Sequence, residues 1–350
     1  MSVAERRVLH ILPHPGGGGE TYVELLSEME GYHAERLFLA PSSRPQPALA
    51  RGVGAATRAA QRCQLIHIHG EVAAALCLPM LAMCPSVVTL HGLHLLRRVA
   101  GLRRRLAVLN LRLILRSAGR TICVSRSEHE ALLRAVGVQA GRRAVLVPNG
   151  VKTNPPARLE ERKAIRAELG LEDSEVVALW VGSLDERKDP LTATRAARQA
   201  GVTLLMVGDG PLRPLVEAQA DKRVRVLAPR RDLRRLFAAA DLFILTSSRE
   251  GLSFALLEAL AAGLPAVVTD APENVEAIGE AGLAAPFGVA AGFADAVMRV
   301  APVRAQLAET ARARAEDLFP ADRMIHRTRA VYDDVFGERQ PRTRPLPTAQ

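Results

Sequence analysis

The sequence predicts an α/β protein of two doubly wound, parallel-sheet domains, and three observations carry that reading. Short runs rich in Val, Ile and Leu alternate with helical stretches along both halves of the chain, and repeated βα units build parallel sheets covered by helices. Runs such as ValValAlaLeuTrpVal (176–181) are apolar without alternation, the pattern of a strand buried on both faces. At 350 residues the chain suffices for two domains, each with its own core.

In order, the first half offers strands at Arg7–Leu12, Glu35–Ala40, Gln64–His69, Ser86–His91, Arg120–Ser125 and Arg143–Val147. The second half offers Val176–Gly182, Val202–Gly208, Arg223–Leu227, Asp241–Thr246 and Pro265–Thr269. ProAsnGly at 148–150 and the polar stretch Lys152–Arg158, with two prolines, read as a linker, so residues 1–150 form the first domain and 151–317 the second. A helical pattern over about 318–336 is expected to pack back on the first domain. Residues 338–350 read as a disordered tail.

Hydrophobic residues make up 48% of the chain and no apolar run reaches the length of a membrane span. The opening MetSerValAlaGluArgArg is not a signal peptide, and the cytoplasm is the expected compartment. The four cysteines lie between residues 63 and 123 without a CxxC, which argues for reduced core thiols over zinc or disulfides. Residues 1–150 hold 19 Arg and 9 acidic residues, whereas the remainder is neutral. That imbalance suits an anionic partner for the first domain; a generally Arg-rich composition is the bland alternative.

Three motifs carry chemistry. The first is ProHisProGlyGlyGlyGlyGluThr (13–21), where Gly17 and Gly18 let backbone approach a ligand at the start of a helix. It is neither the dinucleotide fingerprint nor a P-loop. The second holds Glu250 in a loop and Glu258, eight residues on, in the helix that follows. Two carboxylates so placed can accept hydrogen bonds from two sugars of one ligand, while the N–H groups of Gly251, Leu252, Ser253 and Phe254 face its phosphates. Glu258 sits among apolar residues, where a carboxylate needs a partner. The third, ValGlySerLeuAspGluArgLysAspPro (181–190), supplies the adjacent cations Arg187 and Lys188, suited to a diphosphate. His91 ends a strand run and reads as a core histidine or a cleft ligand. His67 and His69 are set aside, on the argument that only one of them can face the cleft.

The spacing Glu-x7-Glu followed by AlaLeuAlaAlaGlyLeuPro resembles the signature of the family 4 retaining glycosyltransferases of the GT-B fold. The glycine loop, ThrLeuHisGly (89–92), IleCysValSer (122–125), ProAsnGlyVal (148–151) and AlaAspLeuPheIleLeuThrSer (240–247) match that family in order, over residues 7–336. The resemblance implies front-side transfer of a hexose-type sugar from a nucleotide-diphosphate sugar, without metal or other cofactor. It puts His91 and Glu250 on the sugar, Glu258 on the ribose, and Arg187 and Lys188 on the diphosphate. Arg225–Asp232 is expected near the nucleobase. The family arginine after the glycine is Ser183 here. A nucleotide-sugar epimerase and a non-catalytic binder are the alternatives; the first half, which contains no Asp, offers little to the former.

Arg97–Arg120 carries eight arginines and no acid, interleaved with Leu, Val and Ile. It suits peripheral contact with anionic lipid at the inner face of the cell membrane, and thus a lipid-linked acceptor. A solvated helix face packed on the core is the alternative. With aromatics at 3%, no stacking platform for nucleic acid exists.

Overall fold

Six parallel strands form the first sheet: β1 (Arg6–Leu12), β2 (Tyr32–Phe38), β3 (Leu65–His69), β4 (Ser86–Thr89), β5 (Arg120–Cys123) and β6 (Ala144–Leu146), in the order β2-β1-β3-β4-β5-β6. Six more form the second: β7 (Val177–Val181), β8 (Thr203–Val207), β9 (Val224–Leu227), β10 (Leu242–Leu245), β11 (Ala266–Thr269) and β12 (Gly282–Ala285), ordered β12-β11-β10-β7-β8-β9. The computed structural model describes residues 5–41, 47–153, 155–230 and 233–339. The strand order reverses between β1 and β3 and again between β7 and β10. Such switch points leave a crevice beyond the carboxyl ends of the strands.

β4 and β5 end two residues before the expected His91 and Ser125, at Thr89 and Cys123, and two other strands depart further from the sequence reading. β2 begins at Tyr32 rather than Glu35, because pairing with β1 starts at Arg6; of its seven residues only Tyr32 is buried, so the strand carries little apolar pattern. β12 (GlyLeuAlaAla) went unread: it is a partly exposed edge strand without β-branched residues.

The chain leaves the first sheet at Val151 and returns beside it at Phe319. Val151 N–H donates to Phe319 O (2.7 Å) and Ala321 N–H donates to Val151 O (3.0 Å). The helix Ala321–Arg339 then lies on the first sheet. Tyr32 Oη donates to Asp333 (2.6 Å), Arg120 pairs with Asp334 (2.6 Å), and Tyr332 Oη meets His67 Nδ1 at 2.7 Å. This helix runs into the stretch read as a tail, which was expected to start at 338; residues 340–350 lie outside the described residues.

One apolar cluster crosses the domains, joining Tyr22 and Leu26 to Phe254 and Leu257, while two others fill the first and second domains separately. At the amino end of β10 the Asp241 carboxylate accepts from Arg162 (2.8 Å), Arg166 (3.3 Å), Arg304 (3.3 Å) and Val177 N–H (2.8 Å). Arg166 is 2% exposed, so this knot compensates a buried charge and ties the post-linker helix Leu159–Glu168 to the sheet. No helix among the described residues is long and apolar enough to cross a membrane.

Candidate active site

β7 and β10 are hydrogen-bonded neighbours, so the loops that follow them meet although their residues lie some sixty positions apart in sequence. Ser248 N–H donates to Arg187 O (2.8 Å) and Thr246 Oγ1 to Lys188 O (2.8 Å). This register places Lys188 Nζ 2.5 Å and Arg187 Nη1 3.3 Å from Glu250 Oε1. Burial pushes the Glu250 carboxyl up, but the Lys188 and Arg187 charges more than offset it and hold the group down at about 2. Arg187 also lies 3.9 Å from Asp185 Oδ2, so the two cations are shared between two carboxylates, Glu250 and Asp185. Ser183, where the resembling family has arginine, instead donates to Asp185 (2.6 Å).

The helix Phe254–Ala261 opens directly behind Glu250, with Ser253 as its N-cap and no side-chain cap bond. Its free N–H groups and dipole favour negative charge there. Leu252 O accepts from Asn149 Nδ2 at 2.7 Å, tying the linker to this loop. Gly251 lies against the other domain: a Cβ here would come within 2.6 Å of the His91 carbonyl carbon and 2.9 Å of Gly92 N. Gly18 makes the matching approach, with Phe254 3.3 Å from its Cβ position, and Gly17 caps the helix Gly18–Leu26 at φ 79°. Glu273, which the sequence reading missed, accepts Glu250 N–H at 3.2 Å; the ProGlu that opens the helix after β11 is its only sequence signal.

Glu258 stands apart from these ion pairs. Its carboxyl faces a cavity of about 340 Å³ between the domains, lined also by Thr21, Gly150, Leu233, Phe237 and Phe254. Among the described residues no hydrogen bond or ion pair falls on it, and burial raises it to about 7. Arg231 and Asp232, expected near the nucleobase, lie outside the described residues.

His91 follows β4 with φ 57°, a sparsely populated conformation for a non-glycine residue. The turn is held by Glu128, which accepts Gly92 N–H and, at 2.6 Å, Val124 N–H. His94 crowds the same turn, its Cε1 2.8 Å from the Gly92 Cβ position, and feels both Glu250 and Arg187. His67 and His69 share one face of β3, and of the pair it is His69 that meets His91, whereas His67 bonds Tyr332 and Thr89. Residues two apart on a strand point the same way, and the two rings stack at 4.3 Å. His69 Nδ1 lies 2.9 Å from His91 Nε2 and His69 Nε2 lies 3.0 Å from His10 Nδ1. His10, His67 and His69 hold nitrogens within 4.8 Å of one another, the one metal-ligand-type group among the described residues.

The basic stretch divides. Arg120 pairs with Asp334 and leaves the exposed set, and the side chains of Arg97 and Arg98 lie outside the described residues. The helix Gly101–Ser117 buries Leu111, Ile114 and Leu115 and exposes Arg103, Arg104, Arg105, Arg112 and Arg116. It also exposes Leu102, Leu106, Leu109 and Leu113, a stripe at helical spacing.

The sequence profile described as Glycosyltransferase Family 4 matches residues 7–155, and that described as Glycosyl transferases group 1 matches residues 175–301. The chain is 25% identical over 188 residues to N-acetyl-alpha-D-glucosaminyl L-malate synthase of Bacillus anthracis, covering 50% of this chain and 49% of that one. It is 29% identical over 169 residues to UDP-Gal:alpha-D-GlcNAc-diphosphoundecaprenol alpha-1,3-galactosyltransferase of Escherichia coli, covering 44% and 43%. The chain thus spans about half the length of these curated relatives. The Anabaena protein HepE, solved with UDP and glucose, superposes with a TM-score of 0.77 at 21% identity, covering 94% of this chain and all of that one. The fold is GT-B. With one profile on each domain and the matched segments meeting across the cleft, the chain belongs to the group 1, family 4 glycosyltransferases.

Proposed function

We propose that this protein transfers a hexose-type sugar, with retention of anomeric configuration, from a nucleotide-diphosphate sugar to an acceptor. The observation that carries the reading is the Glu258 carboxyl, which has no partner among the described residues, in the interdomain cavity, one helix away from the Lys188–Arg187–Glu250 cluster. A half-buried carboxyl without a partner among the described residues suits a ligand that brings hydroxyls, and the ribose of the donor supplies two. Lys188, Arg187 and the helix N-terminus near Gly251 hold the diphosphate, with Arg187 taking the part of the arginine absent at Ser183. Glu250 and His91 orient the sugar. The departing diphosphate accumulates charge that these donors stabilise, and it accepts the proton of the acceptor hydroxyl. The donor occupies the second domain and the acceptor the first. HepE, solved with UDP-glucose, supports a nucleotide-sugar partner.

For the acceptor we propose a lipid-linked molecule presented at the inner face of the cell membrane. The leucine stripe and five arginines of Gly101–Ser117 form an amphipathic face suited to an anionic surface, and the Escherichia coli relative is named for a diphosphoundecaprenol-linked acceptor. The test of the whole reading is a donor panel: purified protein is incubated with nucleotide sugars and membrane extract. Product of inverted configuration by NMR contradicts retention; binding without turnover leaves a non-catalytic binder.

A further inference from the structure

Three imidazoles stand in series from the cleft into the first domain. His91 Nε2 meets His69 Nδ1 at 2.9 Å, and His69 Nε2 meets His10 Nδ1 at 3.0 Å. The rings incline by only 27° and 20° along this line, and the edge of Tyr22 lies against His91 at 87°. His10 and His69 are 1% exposed, whereas His91 is half-buried. Burial, the largest cause for each, keeps all three neutral, with His10 and His91 at about 3.

A neutral imidazole donates through one nitrogen and accepts through the other. Two hydrogen bonds in series therefore admit only two proton arrangements. In one, His91 Nε2–H donates inward and Nδ1 is bare; in the other, His10 and His69 donate outward and Nδ1 carries the proton. Any mixed arrangement sets two N–H groups or two lone pairs against each other in a dry interior. We propose that His69, backed by His10, is a positioning residue that locks His91 into one tautomer and one ring plane. Nδ1 then shows a single hydrogen-bonding character to the cleft. The identity of its partner, a sugar hydroxyl, rests on the function proposed above; the lock itself belongs to the free chain. His67, stacked in the same group, spends its nitrogens on Tyr332 Oη and Thr89 Oγ1, both at 2.7 Å, and stays outside the series. Those two bonds, and the direct His10–His69 contact, favour hydrogen bonding over a metal among these rings.

The test is long-range proton–nitrogen NMR on the full chain labelled at histidine nitrogen, with His91 assigned by its own substitution. In the parent the two His91 ring nitrogens are expected at widely separated shifts, one protonated and one bare. His69→Leu should draw them toward averaged values, and His69→Asn, whose amide reaches the Nδ1 position, should restore part of the separation. Should His69→Leu fail to fold, His10→Leu, farther from the cleft, carries the same readout. Unchanged His91 shifts in these variants would overturn the proposal, as would stoichiometric zinc in the parent that His10→Leu releases. In turnover, His69→Leu should lower kcat at least tenfold with KM near the parent value. A chain without transferase activity would refute the proposed function and still leave the NMR result to judge the lock.

Discussion

Glu258 makes nucleotide affinity depend on pH in a way that can be worked from its surroundings. Its carboxyl sits at about 7 in the free chain because burial penalises the charge and no described partner relieves it. Ribose hydroxyls donate, so they favour the ionised form, and protons compete with nucleotide as pH falls through 7. With that midpoint about ten in eleven molecules are ionised at pH 8 and about one in eleven at pH 6, a roughly tenfold loss of affinity. Calorimetric titration of UDP or GDP, whichever binds at pH 8, measures it directly. The nucleotide phosphate also titrates near pH 6, so Glu258→Gln is the control, and the tenfold is the difference between parent and variant. Stability gives an independent readout. A folded-state pKa raised above the ordinary 4.5 means the folded chain binds more protons than the unfolded one between about 4.5 and 7. Ligand-free stability should therefore fall as pH rises through that window in the parent, and this contribution is absent from Glu258→Gln. Identical pH dependence of parent and variant in both measurements would refute the assignment of Glu258.

Other outcomes follow from the same geometry. At pH 8, Glu258→Ala should weaken nucleotide binding by about 1.5–3 kcal/mol, the worth of a charged hydrogen bond, whereas Glu250→Ala should chiefly depress kcat in steady-state assays. Asp241→Asn strips the counter-charge from buried Arg166 and should cost about 3 kcal/mol in denaturant unfolding; a loss below about 1 kcal/mol would show the knot to be incidental. Replacing Arg103, Arg104 and Arg105 with Gln should reduce sedimentation with anionic vesicles, where each basic residue is worth up to about 1 kcal/mol, and leave nucleotide affinity unchanged. Equal sedimentation of the parent with neutral and anionic vesicles would rule out electrostatic docking.

What was legible in the sequence was whatever depended on local pattern. ValValAlaLeuTrpVal announces a doubly buried strand, and β7 sits at the centre of its sheet with its middle residues fully covered. Glu258 was visible because apolar neighbours made a lone carboxylate conspicuous, and Glu250 because it stands eight residues before it in the loop that opens the same helix. What required three dimensions was the partner of each group. That Lys188 reaches Glu250 depends on β7 pairing with β10, and that Arg120 meets Asp334 depends on the last helix returning to the first sheet. His10 was invisible as a site residue, since nothing in its strand distinguishes a histidine that stacks on β3 from one packed alone. Setting His69 aside together with His67 missed the ring that meets His91. β12 escaped because alanines at a sheet edge carry no strand signature.

The most direct test of sugar transfer is donor turnover without an added acceptor, since water can take the acceptor position. A panel of UDP- and GDP-sugars, monitored for release of nucleoside diphosphate in the presence of EDTA, should contain at least one donor that the parent consumes slowly, releasing sugar of retained configuration. Lys188→Ala, which removes the cation bonded to Glu250, should abolish that release. Release by the parent no faster than by Lys188→Ala, from a donor that calorimetry shows to be bound, would contradict the account.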